Sequence, residues 1–448
     1  MQLHEYNSAR CLNELFHFLE KHHIPFCVVG DSDGLPNKIS SDIDIVIPNE
    51  CLASIYGVLC QFIQETPFQL VQLLKHEQTA YYFVFSLMIE RHQIEYFSPD
   101  ICGDYFRNGK LFLNASDLLQ NRRVARTKKG INKSFYIPAP EMAFIYYLIK
   151  RVDKKIIDRE QWSYLIEQYQ LAPDDCLTQA RKIWSSVKVD RIITCFKSNN
   201  LNDMQKLMPA LQKELVGNFR PTLKSRWREF ERKVHRVLQP TGIIVVLLGP
   251  DGVGKSAVGE QLLIRILPTF RGRARFHLRP KVFSKYSTLK GIPVTDPHGS
   301  PPRGFFPSLA KLVYFWFDYV FGYWLQVRPL KVRSNFVLFD RYYHDLMIDP
   351  KRYRYSAPMW LTRLVGRILP QPDLFIILDA PAAIIHSRKQ EVTLEETQRQ
   401  REAYLQFAKK TPNAIVLNTE QSLEATVNEG TLAVLKYMQE RLKTRVYK

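Results

Sequence analysis

Apolar residues in this 448-residue chain recur at two spacings, and the change from one to the other marks its organisation. From residue 241 onward, short strand-like runs, unbroken apolar in all but one case, alternate with longer stretches of helical period. The runs at 243–248, 275–278, 336–339, 374–378 and 414–417 predict strands. The stretches at 256–267, 307–327, 357–369, 381–390, 395–409 and 422–443 predict helices. Such alternation predicts an α/β parallel sheet with helices on both faces, its ligands bound at the carboxyl ends of the strands. Residues 141–238 carry helical periodicity at 141–151, 159–168, 177–184, 204–216 and 222–237. Residues 1–140 mix the two spacings: helices at 9–22 and 52–64, a strand pair at 26–29 and 43–47, and aromatic strands that include 81–89 and 93–97. The stop Gln239-Pro240-Thr241-Gly242 predicts a boundary. The chain thus divides into three segments, 1–140, 141–240 and 241–448, and no internal repeat joins them.

Residues 309–327, LAKLVYFWFDYVFGYWLQV, approach membrane-spanning length but carry Lys311 and Asp318 and are crowded with Tyr and Trp. Charges inside a span are costly, so a buried helix, or one lying on a membrane or partner, fits better. The aromatics at 313–324 are read as core rather than ligand-stacking rings. Residues 1–20 lack a basic start followed by an apolar core, so no signal peptide is expected. All seven cysteines precede residue 196, their number is odd, and none forms a C-x-x-C pair. Reduced core thiols of a cytoplasmic protein are therefore expected, with neither a disulfide framework nor a zinc site.

The net charge of +19 is uneven: residues 241–448 hold 31 Lys/Arg against 17 Asp/Glu, and residues 1–240 hold 32 against 27. A field of this sign favours anionic partners. With no nucleic-acid-binding motif in the chain, phosphate handling is preferred over RNA or DNA. The helix predicted at 222–237 is strongly basic, through Lys224, Arg226, Arg228, Arg232, Lys233 and Arg236. A solvated connector and a phosphate- or lipid-contacting helix both fit it.

The strongest chemical signal is Gly249-Pro250-Asp251-Gly252-Val253-Gly254-Lys255-Ser256, placed between a predicted strand and a predicted helix. Glycines at Gly249, Gly252 and Gly254 let backbone N–H groups curl around phosphate oxygens, at the positive end of the new helix. Lys255 can then reach the β/γ-phosphates and the Ser256 hydroxyl can ligate Mg²⁺. ATP and Mg²⁺ are the implied cofactors. Further along, Asp340-Arg341-Tyr342 ends a strand, where Asp340 can hold the metal or its water and Arg341 can fork onto an acceptor phosphate. Pro372-Asp373-Leu374 opens a strand that ends at Asp379, and a basic segment with Arg388, Lys389, Arg399 and Arg401 comes after it. A basic lid supplies charge neutralisation and excludes water during phosphoryl transfer. His344 and Asp345 are open to base, acceptor-contact or packing roles. The cluster Arg271, Arg273, Arg275, Arg279, Lys281 and Lys285 is open to acceptor contact or a solvated edge.

Through the D-G-x-G-K-S loop, the strand-end D-R-Y and the P-D-L…L-D-x-P strand, residues 242–445 resemble thymidylate kinase and its relatives among nucleoside-monophosphate kinases. The resemblance implies that Asp251 contacts the acceptor sugar, that Arg341 holds the acceptor phosphate, and that Arg388, with Arg399 or Arg401, brackets the transferred phosphoryl. It also implies catalytic roles for Lys255 and Asp340. Two departures limit it. Thymidylate kinases follow D-R-Y with a Ser/Ala-Tyr-Gln stretch that reads thymine, where this chain has Tyr343-His344-Asp345. Their R-E-P-G-G is reduced here to Arg279-Pro280-Lys281. The phosphate-handling parts are kept and the base-reading parts are not, which implies an acceptor other than dTMP.

A second constellation lies near the N-terminus: Val28-Val29-Gly30-Asp31, then Ser40-Ser41-Asp42-Ile43-Asp44. Carboxylates two apart on a strand share a face and repel unless a cation lies between them, the logic of a divalent-metal site. An exposed strand with alternating acids is the other reading of the pattern. Residues 20–140 resemble the nucleotidyltransferase superfamily that includes DNA polymerase β, an α+β fold. That resemblance implies a triphosphate turn at Gly30 and metal ligands Asp42 and Asp44. It implies a third acid on a later strand, Glu95 being preferred, with Asp100 and Asp104 as rivals. Asp31 stands where that family has a small residue, and a lysine such as Lys38 would have to offset it.

Together these imply a nucleotidyltransferase-like domain, a helical middle region and a C-terminal P-loop phosphotransferase acting on an unidentified anionic acceptor. The pairing resembles bacterial proteins encoded near surface-polysaccharide genes, which implies a phosphorylated, glycan-related or lipid-linked acceptor. A non-catalytic ATP-sensing scaffold that docks on a membrane, or a nucleotidyltransferase with a regulatory kinase-like domain, are the alternatives. Peripheral membrane contact and oligomerisation stay open.

Overall fold

A computed structural model describes residues 7–39, 42–90, 93–126, 130–282 and 301–446. Ser40, Ser41 and Lys285, all named above, lie outside the described residues. The chain forms two compact units, divided between Val234 and His235.

The first unit opens with α1 (Ser8–Lys21), whose Asn7 side chain caps the helix at Arg10. A mixed sheet comes next, ordered β1-β2-β6-β4-β3, with β5 pairing β4. Its strands are β1 (Cys27–Val28), β2 (Ile43–Val46), β3 (Gln69–Glu77), β4 (Ala80–Glu90), β5 (Gln93–Phe97) and β6 (Pro99–Cys102), with α2 (Ile55–Glu65) between β2 and β3. β2 and β6 run parallel; β1 against β2 and β4 against β3 and β6 run antiparallel. Two small hairpins, β7 (Tyr105–Arg107) with β8 (Lys110–Leu113) and β9 (Arg123–Arg126) with β10 (Asn132–Ile137), flank α3 (Ala115–Leu119). Helices then dominate: α4 (Pro140–Lys154), α5 (Arg159–Leu171), α6 (Pro173–Arg181), α7 (Ser186–Lys197), α8 (Leu201–Asn218) and α9 (Leu223–Leu238), within which the chain leaves this unit.

The sequence pattern placed a boundary at residue 140, but these helices share one core with the strands. Ala143, Ile145 and Leu148 of α4 pack in the same cluster as Cys27, Val46 and Cys102. The helix α7 had no counterpart in the periodicity reading, because its buried face is short: Val189, Ile192, Cys195 and Phe196.

The second unit is α/β. Its sheet has five parallel strands ordered β12-β13-β11-β14-β15. They are β11 (Ile243–Leu248), β12 (Gly272–His277), β13 (Asn335–Asp340), β14 (Leu374–Asp379) and β15 (Ala414–Asn418). β12 starts three residues before the predicted run, because alternating Arg and Ala residues at an edge carry little apolar signal. The helices are α10 (Lys255–Arg265), α11 (Phe305–Gly322), α12 (Arg328–Val332), α13 (Asp345–Ile348), α14 (Met359–Ile368), α15 (Ala382–Arg388), α16 (Leu394–Lys410) and α17 (Leu423–Val446). All six residues of β11 are buried at the centre of the sheet. Burying a Leu, Ile or Val side chain contributes roughly 1.5–3 kcal/mol, so this strand firmly anchors the glycine turn at its end.

The aromatic stretch forms α11, a π-helical turn over Tyr323–Val327, and α12. Its charge has a structural cause: Asp318 is fully buried and accepts from Arg279 at 3.1 Å and from the Val282 N–H at 2.8 Å. No helix among the described residues is long and apolar enough to cross a membrane. The reading of 313–324 as core holds for only some of these rings. Phe315 and Tyr319 are buried, whereas Tyr314, Phe317, Phe321 and Trp324 are exposed.

Candidate functional site

The end of β11 delivers the chain into the glycine turn at the carboxyl edge of the parallel sheet. Gly249 has φ +148°, and a Cβ there would lie 2.7 Å from the Leu378 carbonyl oxygen, so the turn fits against β14 only without a side chain. Gly254 caps α10 at φ +99°, a left-handed conformation that lets the helix start directly at Lys255. Gly252 (φ +88°) lies against the end of α15, where a Cβ would meet the Ile385 carbonyl oxygen at 2.7 Å. Three glycines and a helix N-terminus in one turn make a concave set of backbone N–H donors, which fits polyphosphate oxygens.

Lys255 is the first helical residue, and its side chain curls back into the loop. Its ammonium donates to the carbonyl oxygens of Gly249 and Pro250, both at 2.8 Å, and to Asp251 Oδ1 at 3.3 Å. Burial, then the nearby Arg341 charge, pull its pKa down to about 8, against the opposing carboxylates Asp251, Asp340 and Asp345. Ser256, in the same first turn, is exposed.

Asp251 is the hub of the site. Arg341 donates to its Oδ1 and Arg352 to its Oδ2, so two guanidiniums meet on one carboxylate beside the loop. Burial raises the pKa of Asp251, but Lys255, Arg341 and Arg352 outweigh it and hold the group well below the carboxylate range. Arg341 itself sits at φ +70°, pinned by its N–H to the Leu247 carbonyl at 3.0 Å. Its other arm grips Asp345, which is fully buried and also accepts from the hydroxyls of Tyr353 (2.7 Å) and Tyr404. Asp345 is thus the residue that orients the D-R-Y arginine. His344 is a core residue: it lies among Tyr342, Tyr343, Phe375 and Phe407, and burial alone lowers its pKa to about 4.

The remaining predicted site residues of this unit are placed differently from one another. Asp340 ends β13, 6% exposed, next to the loop strand, and its Oδ2 accepts from Arg275 of β12 at 2.8 Å. Ser256 and Asp340 are hard oxygen donors of the kind Mg²⁺ takes alongside phosphate oxygens and water. Arg388 does not point to the loop: it donates to the Thr419 carbonyl oxygen at 3.0 Å. Arg401 forks onto Asp379 at 2.7 and 3.0 Å, and Arg399 onto Glu396 at 2.9 and 2.6 Å. The basic lid expected from the sequence is therefore spent on local pairs, each arginine taken by the nearest carboxylate or carbonyl. Of the basic cluster after α10, Arg275 reaches Asp340, while Arg279 stacks on Tyr314 and pairs with Asp318.

In the first unit, Gly30 turns at φ +93° over the Tyr147 ring, which a Cβ would approach to 3.5 Å. The offset expected for Asp31 comes from Lys133 rather than Lys38: its ammonium donates to the carbonyls of Ser32 (2.9 Å) and Asp33 (2.8 Å), close to the Asp31 charge. The three acids Asp42, Asp44 and Glu95 are not brought together. Asp42 precedes β2 and accepts from the Tyr82 hydroxyl at 2.9 Å. Asp44 is ion-paired with Lys150 of α4. Glu95 lies on β5 and accepts the Ser8 N–H at 2.8 Å. Register places Asp100, not Glu95, directly beside Asp44, while Asp104 caps α3 through the Ala115 N–H at 2.8 Å. Burial pulls the Lys150 pKa down, but Asp44, with Asp100 behind it, outweighs burial and keeps it above the usual lysine value. Among the described residues, no three His, Cys, Asp or Glu side chains form a group that could hold a metal ion. The acids of this unit do not fit a two-metal centre: they are dispersed, and Lys150 neutralises Asp44.

Sequence reasoning missed Arg352, Arg275 as a partner of Asp340, and Lys150. Each left a signal. Arg352 belongs to Lys351-Arg352-Tyr353-Arg354, a basic run shortly after D-R-Y, and Lys150 interrupts an apolar helix whose neighbours are core. Arg275 sits in the basic cluster after α10. The chain matches no protein-family model and no curated protein sequence.

Proposed function

We propose that the second unit is an ATP- and Mg²⁺-dependent phosphotransferase of the nucleoside-monophosphate-kinase type, thymidylate kinase-like, acting on a phosphorylated or glycan-related acceptor. One observation carries this: two guanidiniums, Arg341 and Arg352, converge on Asp251 of the glycine loop. An anionic acceptor that takes over those guanidiniums is placed beside the triphosphate cradle, and positioning is most of what phosphoryl transfer requires. In this reading the loop N–H groups and Lys255 hold the triphosphate, and Asp251 orients the acceptor. Ser256 and Asp340 would hold Mg²⁺, with Arg275 sharing the Asp340 carboxylate. Bound there, Mg²⁺ supplies neutralisation of phosphate charge. Asp345, Tyr353 and Tyr404 keep Arg341 aimed. Arg388, held on Thr419, is left out of the machinery. A cytoplasmic setting suits seven free thiols.

The N-terminal unit has no metal chemistry in this proposal, because Lys150 answers Asp44. It is read as a binding or regulatory relative of nucleotidyltransferases.

The test is ADP release from Mg²⁺·ATP in the presence of candidate acceptors. Turnover is expected to rise with phosphorylated sugars or lipid-linked phosphates and to stay at the basal rate with dTMP. Efficient turnover of dTMP would remove the acceptor assignment. Tight ATP binding with no acceptor-dependent turnover would replace the kinase by an ATP-sensing scaffold.

A further inference from the structure

The charge of residues 301–372 is one-sided at the surface. The segment holds eleven lysines and arginines against four acids, Asp318, Asp340, Asp345 and Asp349. All four acids are buried, at 0%, 6%, 0% and 3% exposure, so the segment shows cations to solvent and no carboxylate. The same segment carries large exposed apolar side chains. On α11, Phe306, Val313, Phe317, Phe321 and Trp324 of the following π turn recur at helical spacing and form one uncharged stripe. Phe306 is 79% exposed and Trp324 57%. α14 packs against α11 and exposes Trp360 (61%), Leu364 and Ile368 at i, i+4 and i+8, with exposed Arg363 and Arg367 interleaved.

We propose that this face of α11 and α14 docks on the surface of an anionic lipid bilayer. Exposed aliphatic and aromatic side chains on two neighbouring helices are costly in water and gain by insertion to the headgroup boundary. Trp is suited to that interface, and each Arg near an anionic leaflet adds attraction. A second copy of this chain fits poorly, since two acid-free basic faces would repel. Nucleic acid fits poorly too: phosphate backbones reward the arginines but nothing rewards Val313, Leu364 or Ile368. The inference stands apart from the kinase proposal, because no residue of the stripe belongs to the glycine-loop site.

The test uses the full chain with phosphatidylglycerol and phosphatidylcholine vesicles, read by co-sedimentation and by tryptophan quenching with brominated lipid. The parent is expected to pellet with phosphatidylglycerol and not with phosphatidylcholine, with quenching that falls in Trp324→Phe/Trp360→Phe. Arg363→Gln/Arg367→Gln should weaken binding roughly tenfold or more. Phe317→Ser/Phe321→Ser should weaken it without changing salt sensitivity. All are exposed positions, and unchanged circular dichroism confirms that each variant folds. The proposal is overturned if the parent stays in the supernatant, if it pellets equally with both lipids, or if the arginine and phenylalanine variants bind like the parent. It is also overturned if the face instead retains a DNA oligonucleotide or closes a dimer, either effect being lost in these variants.

Discussion

The two units each set a glycine turn beside carboxylates, but they balance charge in opposite ways. At Gly249–Ser256 one loop carboxylate, Asp251, is met by Lys255, Arg341 and Arg352. At Gly30 the acids Asp44 and Asp100 lie side by side in register and Lys150 is the cation paired with Asp44. The first turn has positive charge to offer a phosphate; in the second, a lysine already stands where the acids would take a metal. A shared motif vocabulary therefore does not imply a shared chemistry. What decides it is which opposite charges the rest of the fold brings to the turn.

The sharpest way to break this comparison is to remove the central cation of the first site. Arg341→Ala strands the fully buried Asp345 without a cation and leaves Asp251 to Lys255 and Arg352, so it should cost about 3 kcal/mol or more in urea unfolding. Asp345→Asn in the same background should recover part of that loss. An Arg341→Ala variant as stable as the parent would mean that the arginine does not hold the site together.

The corresponding change in the first unit is Lys150→Ala, with an expected cost of about 1–3 kcal/mol. It should also create what the parent does not have. With the ammonium gone, Asp44 and Asp100 repel, and Mg²⁺ should raise the thermal midpoint of the variant while leaving the parent unmoved. If Mg²⁺ stabilises the parent through this unit as well, the contrast between the two sites dissolves.

These differences explain how far the sequence could be read. Apolar runs buried on both faces, such as Ile243–Leu248, announce their strands because nothing but a core accounts for six such residues. The glycine loop was legible because backbone geometry demands glycine at fixed positions. Partners across the fold were not. That Asp44 meets Lys150, 106 residues away, or that Arg352 meets Asp251 across 101 residues, depends on long-range packing that no local pattern encodes. The lid arginines misled for the converse reason. Arg399 and Arg401 look available in sequence, but Glu396 and Asp379 lie within reach once the helix and strand are placed.

A smaller effect tests the aromatic wall behind Arg341. His344 has a pKa lowered to about 4 by burial, against about 6.5 for an unperturbed histidine. Between those values the unfolded chain takes up a proton that the native state refuses, so stability falls as pH drops from about 6.5 toward about 4. His344→Phe removes that component. From pH 6.5 to 5 it should lose about 2 kcal/mol less stability than the parent, read from urea midpoints. Parallel pH profiles for the two proteins would show that His344 is not held neutral.

The most direct measurement is calorimetric titration of Mg²⁺·ATP into three proteins: the parent, Lys255→Ala and Asp42→Asn. The account predicts one nucleotide site in the parent, a loss of at least about a hundredfold in affinity for Lys255→Ala, and parental affinity for Asp42→Asn. Parental affinity in Lys255→Ala, or its loss in Asp42→Asn, would contradict it.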